Sequence, residues 1–352
     1  MAQGSLKIGR LFGIDIEIHW TLLLLLLLCL LSVEVAILVL LLFACVLVHE
    51  LAHSLVAIRN KIKVKEIVLN IIGGASLIDT NGIDPEVEFR ISIVGPLMSL
   101  FLGGIAGIGV LFTGISPATF VIQFLFEINI LLGVFNILPA FPMDGGRVLR
   151  SWLRESRGEY NATMLTARVS RWIIGAVVIA ALVYVLVINA SVLYKELDFF
   201  IFLIIAIFLY GGTQAEVESA IMKKETSGLK VGSLLSKSFV MVDSKADISE
   251  LYRIAVEKKE HVILTRLNGK LMAVDPFRGR SGRAAGMAEL CVPVAVIRPS
   301  TTMFDALSSI ETSGASIGAV ESRGRVVGII TSAKIQALIY LHMMNRKKKT
   351  GV

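Results

Sequence analysis

Charge is scarce in this chain of 352 residues: Asp, Glu, Lys and Arg make up 18% of it, against about 25% in an average soluble domain. Hydrophobic residues account for 55% and the mean hydropathy is +0.76. Those values exclude a wholly soluble, disordered or fibrous protein. Cysteine is also rare. Cys29, Cys45 and Cys291 lie far apart, two of them inside apolar runs, which excludes a disulfide framework and a cysteine zinc cluster. Only five histidines are present, so any clustering among them carries weight. The formal charge of +7 would suit nucleic acid, but basic residues flanking membrane spans give the same sum, and no nucleic-acid partner is expected. The length allows roughly two domains of about 150 residues each.

A lipid bilayer core of about 30 Å needs about 20 apolar helical residues. Six such runs are read: His19 to Ser32, Val33 to Ile58, Glu88 to Phe112, a fourth that ends about Leu138 after the uncharged turn Thr113 to Pro117, Trp172 to Asn189, and Leu197 to Gly212. Lys7 and Arg10 before the first run resemble a signal-peptide start, but no small-residue cleavage site follows, so the run is read as a retained span. Lys and Arg gather after the second run (Arg59, Lys61, Lys63, Lys65), after the fourth (Arg147, Arg150, Arg154, Arg157), before the fifth (Arg168, Arg171) and after the sixth (Lys223, Lys224). The opposite turns hold little beyond Glu34, Lys195 and Glu196. Under the positive-inside rule the protein is a multi-pass cell-membrane protein with both termini cytoplasmic.

An ionisable side chain at bilayer depth needs a partner or a function. The second run contains His49-Glu50-Leu51-Ala52-His53, which fits H-E-x-x-H. On a helix the two histidines lie one turn apart on one face, placed to offer two imidazoles to one metal, with Glu50 beside them as a base for water. The alternative is a buried polar pair packed against another helix. If the span leaves hydrocarbon near Ile58, Glu50 lies roughly 12 Å inside, at 1.5 Å per residue.

A hydrolytic zinc site takes a third protein ligand. The fourth run ends in Asn136-Ile137-Leu138-Pro139-Ala140-Phe141-Pro142-Met143-Asp144-Gly145-Gly146-Arg147, where two prolines interrupt the helix and two glycines permit a tight turn. Asp144 is expected on this irregular segment, aimed at the second span, or else as the cap of a helix from Arg147 to Leu153.

HELAH at His49 to His53, the segment Asn136 to Gly146, Gly73-Gly74-Ala75-Ser76, and Ile93-Val94-Gly95-Pro96 occur in an order that resembles the site-2 protease family of intramembrane zinc metalloproteases. The resemblance is to prokaryotic six-span members carrying a cytosolic pair of CBS (cystathionine-beta-synthase type) motifs. It implies a polytopic α-helical membrane protein of about six transmembrane helices with a C-terminal α/β CBS-pair domain. One zinc ion per chain would be held by His49, His53 and Asp144, with Glu50 as general base and Asn136 near the reacting carbonyl. Gly73, Gly74, Ala75 and Ser76 would pair with an unwound substrate as an added strand. The implied partners are a transmembrane protein substrate and the lipid bilayer, and the implied reaction is hydrolysis of peptide bonds in transmembrane segments, as in regulated intramembrane proteolysis.

Other intramembrane polar groups have plainer readings. Asn136 also suits a helix-to-helix hydrogen bond. Gly95-Pro96 reads as an irregular element that accepts substrate or as an ordinary packing kink. Glu127 and Asn129, two residues apart, do not share a helical face; Glu127 is expected to line the cavity or pair with another helix rather than bind metal. Phe12 to Ile18 alternates as a strand at the interface, and His19 is read as interfacial.

From about Leu229 the composition becomes that of a soluble domain. His261 to Leu264 leading to Gly269-Lys270-Leu271-Met272-Ala273-Val274 aligns at a constant offset with Ser316 to Ala319 leading to Gly324-Arg325-Val326-Val327-Gly328-Ile329. Each copy reads as helix, strand, turn, strand, which fits two CBS motifs. The domains are thus 1–218, the transmembrane protease; 219–228, a linker; 229–345, the CBS pair; and 346–352, a basic tail. CBS pairs often hold adenosine nucleotides through an Asp after G-x-x-T, but here Gly328-Ile329-Ile330-Thr331 is followed by Ser332-Ala333-Lys334, and the first copy, running into Pro276 and Gly279 to Gly282, departs further. Homodimerisation or mechanical gating of the protease stands beside nucleotide binding as the use of this module. Two other functions compete with the peptidase: a CBS-regulated transporter or channel with His49, His53, Asp144 and Glu127 along an ion pathway, and a zinc protease of the CAAX-processing type, for which no downstream helical glutamate pattern is found.

Overall fold

The computed structural model describes residues 4–29, 32–71, 73–78, 82–114, 117–187, 192–258, 262–277 and 287–350. The ends of the expected runs at Asn189 and in the turn at 115–116, together with His261 and Gly279 to Gly282, lie outside them. So do the side chains of Ala75, Lys195, Glu196 and the terminal Arg346 to Lys349. The chain divides into two compact units, Met1–Ile221 and Met222–Val352.

The first unit opens with a hairpin of β1 (Ser5–Leu11) and β2 (Ile14–His19). Its turn is Phe12-Gly13, with φ of 51° and 85°. Two consecutive positive φ values are what a tight two-residue hairpin requires, so the strand expected from Phe12 begins two residues later. Lys7 lies 2.7 Å from Asp15 across the pair and, with Arg10, holds the Asp15 carboxyl below its usual range. Helix α1 (Trp20–Cys29) and helix α2 (Val33–Arg59) then cross back to β3 (Val64–Asn70), which pairs parallel with β2, and β4 (Gly73–Ile78) pairs antiparallel with β3. The sheet order is β1-β2-β3-β4. Its apolar face, with Ile14, Ile67 and Leu69, packs against Leu22 of α1 and against Phe43, Val46 and Leu51 of α2. That packing lays β4 over the part of α2 carrying Glu50.

Helix α2 starts where the Ser32 hydroxyl accepts from the Val35 N–H at 3.4 Å, with Glu34 in its first turn and Arg59 in its last, both matched to the helix dipole. Helices α3 (Pro85–Phe112), α4 (Pro117–Ile137), α5 (Asp144–Val187) and α6 (Val192–Thr226) follow. Small residues bring α3 and α4 together: a Cβ on Gly103 would sit 2.8 Å from Ile130, and one on Gly133 2.7 Å from Leu100. This is the contact that helices without a hydrophobic drive between them use.

Among the described residues five helices, α2 to α6, are long and apolar enough to cross a membrane. Helix α1 has 10 residues, about 15 Å of rise or half of a hydrocarbon core, so the described part of the first expected run is shorter than a full crossing. Helix α5 begins 28 residues before the expected Trp172. A hydropathy scan misses its first half, which is rich in arginine; a break at Gly158 (φ 73°, ψ 161°) divides the two halves.

In the second unit the repeat is visible as geometry. The first copy is β5 (Phe239–Val242), α7 (Ile248–Glu257), β6 (Val262–Leu267) and β7 (Lys270–Val274). A short helix α8 (Met287–Leu290) and β8 (Cys291–Pro293) lead to the second copy: β9 (Ala295–Ile297), α9 (Met303–Thr312), β10 (Ile317–Ser322) and β11 (Arg325–Thr331). In each copy the first strand pairs parallel and the third antiparallel with the middle one. The hairpin turns Asn268-Gly269 and Arg323-Gly324 both have positive φ at both residues. Helix α10 (Ser332–Thr350) closes the unit, so the expected basic tail is helical through Thr350, and α6 makes the expected linker helical through Thr226.

Candidate metal centre

Helix α2 presents His49 and His53 on one face, 3% and 5% exposed, with their Nε2 atoms 3.1 Å apart. Asp144 Oδ2 lies 3.1 Å from each Nε2. Together these three residues form, among the described residues, the group able to hold a metal ion. Tetrahedral ligands at zinc–ligand distances of 2.0–2.1 Å stand about 3.3 Å apart, so the triangle fits zinc closely. The carbonyl of Ile91 takes the Nδ1–H of His53 at 2.6 Å, so in the neutral ring that binds metal Nε2 is the atom that carries the lone pair and faces the cluster. His49 Nδ1 is bonded to Ser99 Oγ at 2.9 Å, which fixes the second ring.

Both ring anchors come from α3, where Ile91, Gly95 and Ser99 are spaced by four and share a face. A Cβ on Gly95 would stand 2.2 Å from His53 Nε2 and 2.8 Å from His49 Nε2. The backbone of α3 therefore passes directly against the imidazoles.

Asp144 is the first residue of α5, not part of the irregular segment, and the preceding loop aims it. Gly145 and Gly146 fold the start of α5 back on that loop: a Cβ on Gly145 would meet the Ile137 and Leu138 carbonyl oxygens at 2.2 Å. Phe141, fully buried and joined to Pro142 by a cis peptide bond, receives a hydrogen bond at its carbonyl from Thr213 Oγ1 at 3.1 Å and donates its N–H to Ser170 Oγ at 2.9 Å. The Arg150 guanidinium lies 5.5 Å from the Phe141 ring centroid. Arg150 also donates to Glu88 of α3, through Nε at 3.0 Å and through Nη2, and to Glu216 of α6 at 2.8 Å, while Arg154 reaches the other Glu88 oxygen at 3.1 Å. The third ligand is thus tied to α3, which anchors the first two, and to α6.

Glu50 turns towards the sheet. Ser76 Oγ donates to its Oε2 at 2.6 Å, and Gly74 lies so close that a Cβ there would be 2.6 Å from Glu50 Cγ. Gly73, Gly74, Ala75 and Ser76 form the start of β4, an edge strand of the sheet, and Gly73 takes φ 145°, which favours glycine. The Asn136 amide donates to the Leu132 carbonyl of its own helix at 2.9 Å. Glu127 departs from the reading that placed it in a cavity or against another helix: it is exposed and accepts from Gln123 on its own helix at 2.8 Å, an i to i+4 pair. The buried Asn129 donates to Leu125 O and to Cys45 Sγ of α2. His19 bonds Thr21 Oγ1 at 2.9 Å beside Trp20. Ser99, the Ile91 carbonyl and the Arg150–Glu88 pair have no signature in the sequence beyond the Gly-Pro irregularity in α3.

Apolar spans around a buried His2Asp triangle with an adjacent carboxylate define a membrane-embedded metallohydrolase. Residues 37–116 and 113–180 match the model of Peptidase family M50. Zinc metalloprotease MJ0392 of Methanocaldococcus jannaschii is 32% identical over 280 residues, covering 76% of this chain and 77% of that protein. Putative zinc metalloprotease Rip3 of Mycobacterium tuberculosis is 29% identical over 179 residues, 45% of this chain and 46% of the relative. The solved Site-2 Protease from Methanocaldococcus jannaschii aligns with a TM-score of 0.45 at 34% identity, over 60% of this chain and 95% of that one. The chain belongs to peptidase family M50, the site-2 protease family, and is an intramembrane zinc metalloprotease. That membership decides against the ion-pathway and CAAX-type readings.

Proposed function

We propose that His49, His53 and Asp144 hold one zinc ion, that Glu50 is the general base, and that the substrate is a peptide bond in a transmembrane segment. The observation that carries this reading is the convergence of three ligand atoms at 3.1 Å beside a carboxylate held by Ser76 on an edge strand. Zinc in such a site supplies Lewis acidity, polarising the scissile carbonyl and acidifying water. Glu50 takes the proton of the attacking water and returns it to the leaving amine. A substrate helix cannot offer a carbonyl while its backbone is fully bonded, so it unwinds locally, and the outer edge of β4 is the element that pairs with it. Asn136 gives one amide hydrogen to Leu132 O and has a second to offer as the oxyanion donor.

Basic residues after α2 and along the first half of α5 support a cytoplasmic placement of both termini. We assign the protease to 1–218, joined by 219–228 to a regulatory CBS-type pair at 229–345, with 346–352 as a basic end. The matched strand–helix–strand–strand copies support that pair. A cavity of about 610 Å³ lined by Val262, Asp275, Pro276 and Ile317 is where an adenosine nucleotide would be sought, and homodimerisation is the other use of this module. The deciding experiment is Glu50→Gln in the full chain reconstituted in liposomes. We expect full zinc content with cleavage of a membrane-embedded test helix reduced by about 10²–10⁴; normal cleavage by that variant rejects the proposal.

A further inference from the structure

Helix α5 carries five arginines between Arg150 and Arg171, and three of them are bonded: Arg150 to Glu88 and Glu216, Arg154 to Glu88 and Glu159, and Arg171 to Gln214 Oε1 at 3.1 Å. Arg157 and Arg168 have no carboxylate partner among the described residues. They are 11 residues apart, which on a straight helix means about 16 Å of rise. The break at Gly158 folds that distance, and both side chains line one cavity of about 450 Å³ with Ser156, Asn161, Met164 and Leu165. Asn161 closes its floor by donating to the Arg157 carbonyl at 3.1 Å.

Asn161, Leu165, Arg168 and Trp172 recur at helical spacing, so the polar cavity is followed along one face by Trp172, which is 76% exposed and opens the apolar half of α5. Exposed tryptophan at such a junction marks the membrane–water interface. Two guanidiniums without a carboxylate partner among the described residues, with the second amide hydrogen of Asn161, make a donor set for phosphate, while the Ser156 hydroxyl is already given to the Leu153 carbonyl at 3.3 Å. Met164 and Leu165 offer apolar contact for the start of an acyl chain. We infer that this cavity binds the headgroup phosphate of an anionic phospholipid, bridging the half of α5 that carries Asp144 and the half that enters the bilayer.

The test is native mass spectrometry of the full chain in mild detergent, titrated with phosphatidylglycerol, with phosphatidylcholine and inorganic phosphate as parallel arms. We expect one saturable phosphatidylglycerol adduct. It should bind about thirtyfold more weakly to Arg157→Gln/Arg168→Gln, and about fivefold more weakly to either single variant should the double variant not be recovered. Arg171→Gln, one turn away and outside the cavity, should bind like the wild type. Unchanged binding by the cavity variants overturns the inference. So does an equal loss in Arg171→Gln, which would mean a diffuse surface charge effect, and so does displacement by millimolar inorganic phosphate, which would mean a site for free anions.

Discussion

The Ser76 hydroxyl, on the edge strand β4, donates to Oε2 of Glu50 at 2.6 Å. The proposed base is therefore held by the same strand that is proposed to receive substrate, so the orientation of the carboxylate and the docking of the scissile segment share one element. Charge-assisted hydrogen bonds of this kind contribute about 1.5–3 kcal/mol.

For Ser76→Ala we expect kcat to fall about tenfold to a hundredfold, with zinc content intact and KM little changed, because the lost bond orients the base and leaves the strand's backbone in place. Ser76→Thr, which keeps the hydroxyl, should recover most of the rate. Steady-state cleavage of a reconstituted test helix separates these outcomes; a loss confined to KM would assign Ser76 to substrate binding alone.

Local periodicity made the histidine pair legible, since H-E-x-x-H on any helix puts His49 and His53 on one face, and the two-proline, two-glycine segment marked the break before Asp144, which the structure makes the first residue of α5. The turns at Gly269 and Gly324 were legible for the same reason. What stayed hidden depends on which helices meet. Ser99 and the Ile91 carbonyl anchor the imidazoles from α3, and no pattern within α3 names its partner. Glu127 was read as facing inward because a membrane carboxylate ought to be satisfied across helices, yet Gln123 one turn back on its own helix already bonds it. A helix from Arg147 to Leu153 was among the readings, but its continuation to Trp172 was not, because arginines paired with Glu88 and Glu216 look, one residue at a time, like a solvated segment.

Gly95→Ala should strip the metal while leaving α3 helical. Its Cβ would sit 2.2 Å from His53 Nε2, so the ring must leave the triangle or the helices must part. Misplacing a ligand by this much should weaken zinc binding by at least about 10- to 100-fold, the range seen when ligand-orienting groups are lost. Gly104→Ala on the same helix meets nothing within 4 Å and should bind zinc normally. Competition against a chelator measures both variants, and wild-type affinity in Gly95→Ala would mean that the centre is looser than the structure shows.

Arg150 tests whether the third ligand is positioned from a distance. Its guanidinium ties the start of α5 to Glu88 on α3 and Glu216 on α6 and lies against the ring of Phe141, three residues before Asp144. Arg150→Met should destabilise the unit by about 3–5 kcal/mol, since it strips the principal partner from a carboxylate that is only 8% exposed. Zinc affinity should drop with it. Adding Glu88→Gln removes the stranded charge, so the double variant should regain much of the thermal stability. Its zinc affinity should stay low, because the Arg150–Glu88 ion pair that draws α5 towards α3 is gone and Arg154 is left with a neutral acceptor at position 88. If stability and zinc binding recovered together, Arg150 would be a neutralising partner for Glu88 and nothing more. If only stability recovered, the ion pair would be what sets Asp144 within reach of the two histidines.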